Sequence, residues 1–148
     1  MRSGFIFGAG GTNFLSTVVE RAQRGEKLKV IRDAWGTPTY GGHLAVRLRE
    51  LAELDLPGIY HVVNSGEGAT FESFSRTLLQ LAGCDENLLE SVSFDSLKRP
   101  APRPQNSKLR CLLSALVGLN PLPPLHDGMV EFLGSNVSKR TETGQFSA

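Results

Sequence analysis

The chain has 148 residues, 40% hydrophobic and 21% charged, with a formal net charge of +1. That length suits one domain with its own core, and the composition is globular rather than disordered. The balanced charge supplies no field for nucleic acid or an anionic membrane, and the longest apolar run, 112–119, is too short to span a bilayer. The stretch 4–11 is half glycine and offers no signal-peptide core. Cys84 and Cys111 are distant in sequence, without metal-ligand spacing, and read as reduced thiols of a cytoplasmic protein.

In chain order, residues 4–7 read as a short strand entering a glycine-rich turn at 8–11. A helix follows over 13–24, capped by Thr12 or Asn13, with an apolar stripe of Phe14, Leu15, Val18, Val19 and Ala22 and a stop at Gly25. Leu28–Ile31 reads as a strand and 33–40 as a loop broken by Gly36 and Pro38. A second helix over 41–54 places Leu44, Leu48 and Leu51 on one face, and Pro57-Gly58 turns the chain into a strand over 59–63. After a glycine-rich loop at 64–69, Thr70 caps a third helix to about Ala82, with Phe71, Phe74, Leu78 and Leu81 as its buried face and Gly83 as its stop. A short strand at 92–94 precedes a proline-rich basic stretch, 98–110. A helix is expected from Asn106 or Ser107 to Val117, a proline break at 120–124, and a closing helix over 125–133. The sequence divides into a domain, 1–134, and a polar tail, 135–148, expected to be disordered. Strands alternating with helices predict an α/β fold with a small, mostly parallel sheet and packed helices.

Residues 4–33 imitate a dinucleotide-binding unit. A strand enters Gly8-Ala9-Gly10, a helix follows, and Asp33 ends the next strand. The third glycine of that fingerprint would fall at Asn13, where a side chain obstructs close helix–strand packing, so the match is weak. The other reading is a corner that uses glycine for sharp turning.

A set of segments, in order, resembles the dTDP-4-dehydrorhamnose reductase family of extended short-chain dehydrogenases. Residues 2–8, Arg-Ser-Gly-Phe-Ile-Phe-Gly, resemble its Arg-Thr-Ser-Trp-(Val/Leu)-Tyr-Gly stretch, and Asn13-Phe14 its Asn-Phe segment. Residues 33–40 are similar to Asp-Gln-x-Gly-x-Pro-Thr-Tyr, 58–61 to Gly-(Ile/Leu)-Tyr-His, and 103–109 to Arg-Pro-x-Asn-Ser-x-Leu. Phe71 and Phe74 sit at its aromatic helix opening, and 123–133 resembles its closing helix, so the resemblance covers about residues 2–133.

The resemblance implies the carboxyl-terminal, sugar-nucleotide-binding part of an extended short-chain dehydrogenase fold. Such enzymes reduce the 4-keto group of dTDP-4-keto-rhamnose with NADPH or NADH, which their amino-terminal half holds together with a catalytic Tyr-x-x-x-Lys. Here the residue four after Tyr40 is Leu44 and four after Tyr60 is Asn64, and the Gly-x-x-Gly-x-x-Gly loop is missing. No catalytic residue and no bound cofactor are therefore expected of this chain alone.

The substrate-binding candidates are Phe5, Asn13, Thr39, Tyr40 and Arg103. Phe5 stands where the family has Trp and serves either as an aromatic wall or as a core ring. Asn13 offers its amide to a ligand or caps its helix. Thr37, Pro38, Thr39 and Tyr40 set a rigid loop at a cleft rim, or simply a turn. Trp35 reads as a loop anchor or an exposed contact. Arg103 can grip a diphosphate through two charge-assisted bonds, with Lys98, Arg99, Lys108 and Arg110 adding charge, or it belongs to a solvated basic loop. Asn106 and Ser107 read as helix caps. His43, His61 and His126 share no metal-ligand spacing, and His61 reads as a satisfied core histidine. The expected ligand is a dTDP-sugar or related sugar nucleotide. The expected partner is an amino-terminal cofactor-binding chain or a second copy, with neither nucleic acid nor membrane. Competing readings are a truncated or split reductase, a non-catalytic interaction module on the same scaffold, and a small dinucleotide-binding domain.

Overall fold

A computed structural model describes residues 1–96 and 100–143, with side chains described as far as Ser135. Lys98 and Arg99, and residues 144–148 of the expected tail, lie outside the described residues.

The chain forms β1 (Ile6–Phe7), α1 (Phe14–Gln23), β2 (Leu28–Ile31), β3 (Trp35–Gly36), β4 (Thr39–Tyr40), α2 (Gly41–Leu54), β5 (Asn64–Ser65) and β6 (Ala69–Thr70). It continues through α3 (Phe71–Leu81), β7 (Leu89–Val92), α4 (Leu112–Leu116), β8 (Leu122–Pro124) and α5 (Leu125–Thr143). The strands pair in four two-stranded sheets. β1–β4, β2–β7 and β5–β8 are parallel, and β3–β6 is antiparallel. This is the mostly parallel α/β arrangement expected from the sequence, divided into short ladders.

Local chemistry accounts for two helix starts. Asn13 caps α1 by accepting from Ser16 N at 3.1 Å. Thr70 and Ser73 form a reciprocal capping box at α3, satisfying two amides that the helix itself leaves free. α1, α3 and α5 enclose one core cluster around Phe7, with Val18, Leu28, Phe74, Leu78, Leu79 and Phe132 each buried. Phe7 meets Phe74 and Phe132 edge-on at centroid distances of 5.0 and 5.6 Å. Each such ring contributes about 1.5–3 kcal/mol by burial. A second cluster joins Leu44, Tyr60, Val62 and Leu122, under α2 and α4.

Several boundaries differ from the sequence reading. The loop expected at 33–40 holds β3 and β4, and the loop expected at 64–69 holds β5 and β6. Two-residue strands carry no alternation to read; their partners across the fold define them. In place of the strand expected at 59–63 there is an isolated parallel bridge to Arg2, through Arg2 N to Tyr60 O at 2.7 Å and Val62 N to Arg2 O at 2.9 Å. The strand expected at 92–94 lies at 89–92, in register with β2. The helix expected from 106 to 117 contracts to α4, because backbone partners on Trp35 claim residues 105–107 first. The closing helix continues past Leu133 to Thr143, so the polar segment from 135 begins as helix, and Gly134 does not stop it. On α2 the buried face is His43, Leu44 and Arg47, while Leu48 is 43% exposed. On α3 Leu79 is buried and Leu81 is exposed.

Candidate functional site

A cleft of about 790 Å³ opens beside the Phe7 core. Its floor and walls come from Phe5, Ile31, Ala34, Trp35, Phe71 and Phe94. Pro100, Ala101, Arg103, Pro104 and Ser107 line its rim. The volume falls in the range of small-molecule sites, which bury most of a ligand against apolar walls and orient it with few polar groups.

Phe5 enters the cleft by an uncommon backbone route. Its φ is +48°, a region that costs a bulky residue about 1–3 kcal/mol. Its carbonyl accepts from Thr39 N at 3.2 Å, and its ring lies 4.9 Å from Phe71, which in turn meets Phe14 at 6.0 Å. Gly36 makes this placement possible. A Cβ there would stand 2.1 Å from Phe5 Cε2, so the ring rests directly on the β3 backbone.

Residues 105–107 run beside β3 as a strap. Trp35 N donates to Gln105 O at 2.8 Å, and Ser107 N donates to Trp35 O at 2.9 Å. Lys108 N donates to Asn106 Oδ1 at 3.1 Å, and Leu109 N to Thr37 Oγ1 at 3.2 Å. Asn106 and Ser107 thus fasten the strap instead of capping a helix. Arg103 lies two residues before the strap, exposed, and no carboxylate among the described residues pairs with it. The Lys108 ammonium lies 5.3 Å from the Trp35 ring centroid, within cation–π range.

Of the five candidates, Phe5 and Arg103 line the cleft. Asn13 lies outside it with both ends of its amide engaged, since Oδ1 caps α1 and Nδ2 donates to Ile6 O at 3.0 Å. Thr39 is fully buried; its hydroxyl is 3.1 Å from Gly4 O and from Thr37 O, and its amide holds the Phe5 carbonyl. Tyr40 precedes α2, packs on Phe7 and His43, and is outside the cleft lining. His61 is half-buried rather than a core residue, with Nδ1 3.2 Å from Arg110 O.

The sequence reading passed over a second polar centre. Asn64, 3% exposed, accepts from Tyr40 N at 2.7 Å and donates to His43 Nδ1 and Pro123 O, each at 2.8 Å. An amide nitrogen only donates, so His43 Nδ1 must accept, which places the imidazole proton on Nε2. Nε2 donates to Glu131 Oε1 at 2.9 Å. The chain ties α2, β4, β8 and α5 together and lies apart from the cleft. Its sequence signal was weak, because one histidine and one asparagine 21 positions apart form no motif.

The turn at 8–11 does not fit a nicotinamide dinucleotide. Asn13 Oδ1 occupies the Ser16 amide at the start of α1, and Ser16 Oγ accepts from Gly8 N at 3.2 Å. A dinucleotide unit pairs its first two strands in parallel, whereas β1 pairs with β4 and β2 with β7. Tyr60 is buried in the second core cluster. Among the described residues, no group of three His, Cys, Asp or Glu side chains could hold a metal ion. No helix among them is long and apolar enough to cross a membrane.

The family profile described as the RmlD substrate binding domain matches residues 1–137. The spore coat polysaccharide biosynthesis protein SpsK of Bacillus subtilis is 33% identical over 121 residues, covering 82% of this chain and 42% of that protein. A dTDP-4-dehydrorhamnose reductase of Mycolicibacterium smegmatis is 28% identical over 144 residues, covering 96% of this chain and 44% of the relative. The crystal structure of dTDP-4-dehydrorhamnose reductase from Bacillus anthracis str. Ames, in complex with NADP, matches with a TM-score of 0.84 and 28% identity, over 90% of this chain and 47% of that one. The chain spans less than half the length of these relatives. With the profile covering nearly all of the described residues, the chain belongs to the RmlD substrate binding domain family.

Proposed function

We propose that this chain supplies the sugar-nucleotide side of a dTDP-4-dehydrorhamnose reductase-type site, in a cytoplasmic setting, and is not catalytic alone. The reading rests chiefly on one juxtaposition: the Arg103 guanidinium, with no carboxylate partner among the described residues, at the rim of a cleft walled by Phe5, Trp35, Phe71 and Phe94. Aromatic faces suit a base or the apolar face of a sugar, and a guanidinium grips a diphosphate through parallel charge-assisted bonds. Neither tyrosine carries a lysine four residues later, and the turn at 8–11 offers no pyrophosphate cradle. The nicotinamide cofactor and the proton donor would come from an amino-terminal cofactor-binding unit, on this polypeptide or another.

Isothermal titration with dTDP and with NADPH tests this. Saturable dTDP binding that Arg103→Ala weakens about 10- to 100-fold is expected, in line with about 1.5–3 kcal/mol for hydrogen bonds to charged groups. NADPH should give no heat of binding. Heat from NADPH and none from dTDP would reverse the assignment.

A second reading, an interaction module, draws on exposed apolar side chains around α4: Leu116 at 82%, Leu112 at 60% and Ile59 at 63% exposure. Such side chains are typical of surfaces that another chain covers. Light scattering of the purified chain separates a monomer from a self-associating module.

A further inference from the structure

The same cleft also bears on how a base would be recognised. This step rests on the sugar-nucleotide reading above. Apart from Arg103 and the Trp35 indole N–H, the polar side chain among the described lining residues is Ser107, whose hydroxyl is 3.2 Å from Trp35 O. The described lining contains no carboxylate and no carboxamide. Carboxylates and carboxamides are among the side chains that read the donor and acceptor edge of a base, and aromatic and aliphatic surface stands in their place.

Trp35 is the residue best built for the alternative. Its backbone is fixed on both sides, by β6 through the Trp35–Thr70 pair and by the 105–107 strap. Its indole is 43% exposed and lines the cleft. Lys108 does not line the cleft, and its ammonium stands over the indole. The Lys108 stem is itself seated beside Gly68, where a Cβ would come within 3.0 Å of Lys108 Cδ and 2.4 Å of Gly36 O. The cation and the strap therefore hold the ring in place before any ligand arrives. Stacking on an aromatic face tolerates any base, because every base has a π-face.

We infer that Trp35 is the stacking platform for the base of a nucleoside diphosphate, and that the site holds that base by its face without reading its edge. Arg103 takes the diphosphate. The ligand class is thus a nucleoside-diphosphate sugar chosen by its charge and sugar rather than by thymine.

Trp35 is the one tryptophan of the chain, so intrinsic fluorescence reports on this ring alone. The test titrates the purified chain with dTDP, dCDP and inorganic pyrophosphate, following heat and fluorescence together. The expected result is that dTDP and dCDP, whose bases present opposite donor and acceptor edges, bind within about threefold of each other and both change the fluorescence, while pyrophosphate binds without changing it. Trp35→Ala should weaken dTDP about tenfold or more, Trp35→Phe should restore most of that, and neither should alter pyrophosphate affinity. Trp35→Phe keeps an aromatic ring in the fold, which separates lost stacking from misfolding. If dTDP binds through Arg103 but Trp35→Ala leaves its affinity intact, or dTDP exceeds dCDP by more than about threefold, this inference is wrong while the proposed function stands. If none of the three ligands binds, the sugar-nucleotide reading fails and this one falls with it.

Discussion

Replacing Asn64 with alanine removes a side chain that joins β4, α2 and β8. The change withdraws the acceptor of Tyr40 N and the donors to His43 Nδ1 and Pro123 O. Pro123 is exposed, so water can replace the bond to its carbonyl, whereas His43 is 8% exposed and the Tyr40 amide is half-buried. Two stranded groups at about 1–3 kcal/mol each, with some relief from relaxation, put the loss at about 2–4 kcal/mol. For a chain of this size that lowers the melting temperature by about 4–16 °C. Thermal and urea denaturation followed by far-ultraviolet circular dichroism measure it. Nitrogen-15 spectra of the wild-type imidazole should show the proton on Nε2. A loss below about 1 kcal/mol, or a proton on Nδ1 in the wild type, would refute the hydrogen-bond assignment on which the estimate stands.

Two other substitutions probe different elements. Gly36→Ala should drive the Phe5 ring off β3, since its Cβ would stand 2.1 Å from that ring, and cost about 1–3 kcal/mol together with most of the dTDP affinity; unchanged melting and binding would mean that the ring moves freely. Hydrogen bonds from Glu72 and then Glu86 hold the Arg76 guanidinium above its ordinary range. A raised folded-state value gives stability that is present below the unfolded value and lost only as pH rises through the folded one, in the strongly alkaline range. Arg76 is 44% exposed, so Arg76→Ala should cost less than about 1 kcal/mol, with no trend between about pH 7 and 10; a larger or pH-dependent loss by urea titration would contradict the surface-pair reading.

The parts of this fold that were legible in the sequence are those whose chemistry is local. Asn13 and Thr70 announce their helices because a short side-chain oxygen three residues before a free amide is a local event. The stripe Leu15, Val18, Val19 and Ala22 names the buried face of α1 by period alone. The 105–107 strap was illegible for the opposite reason. Asn-Ser before an apolar run resembles a cap, and only the Trp35 backbone, some 70 residues earlier, claims those groups. Arg47 was hidden likewise. A charged residue in a helix reads as solvent-facing, yet this one is 4% exposed, its guanidinium meeting Glu50 and the Asn120 carbonyl. At the cleft, sequence singled out the Phe5 and Arg103 positions. Phe94 and Ile31 could not be named, because nothing in their neighbours tells a cleft wall from a core wall.

The aromatic contact from Phe14 through Phe71 to Phe5 makes the cleft floor the outer skin of the core. A compound that fills the cleft can therefore rest on that surface only while the core beneath it is assembled. Occupancy then enters the unfolding equilibrium as a mass-action term of RT ln(1 + [L]/Kd), about 2.7 kcal/mol at a hundredfold excess over Kd. Melting temperature becomes a ligand gauge for this chain. Libraries of nucleotides and sugars can be ranked by thermal shift alone.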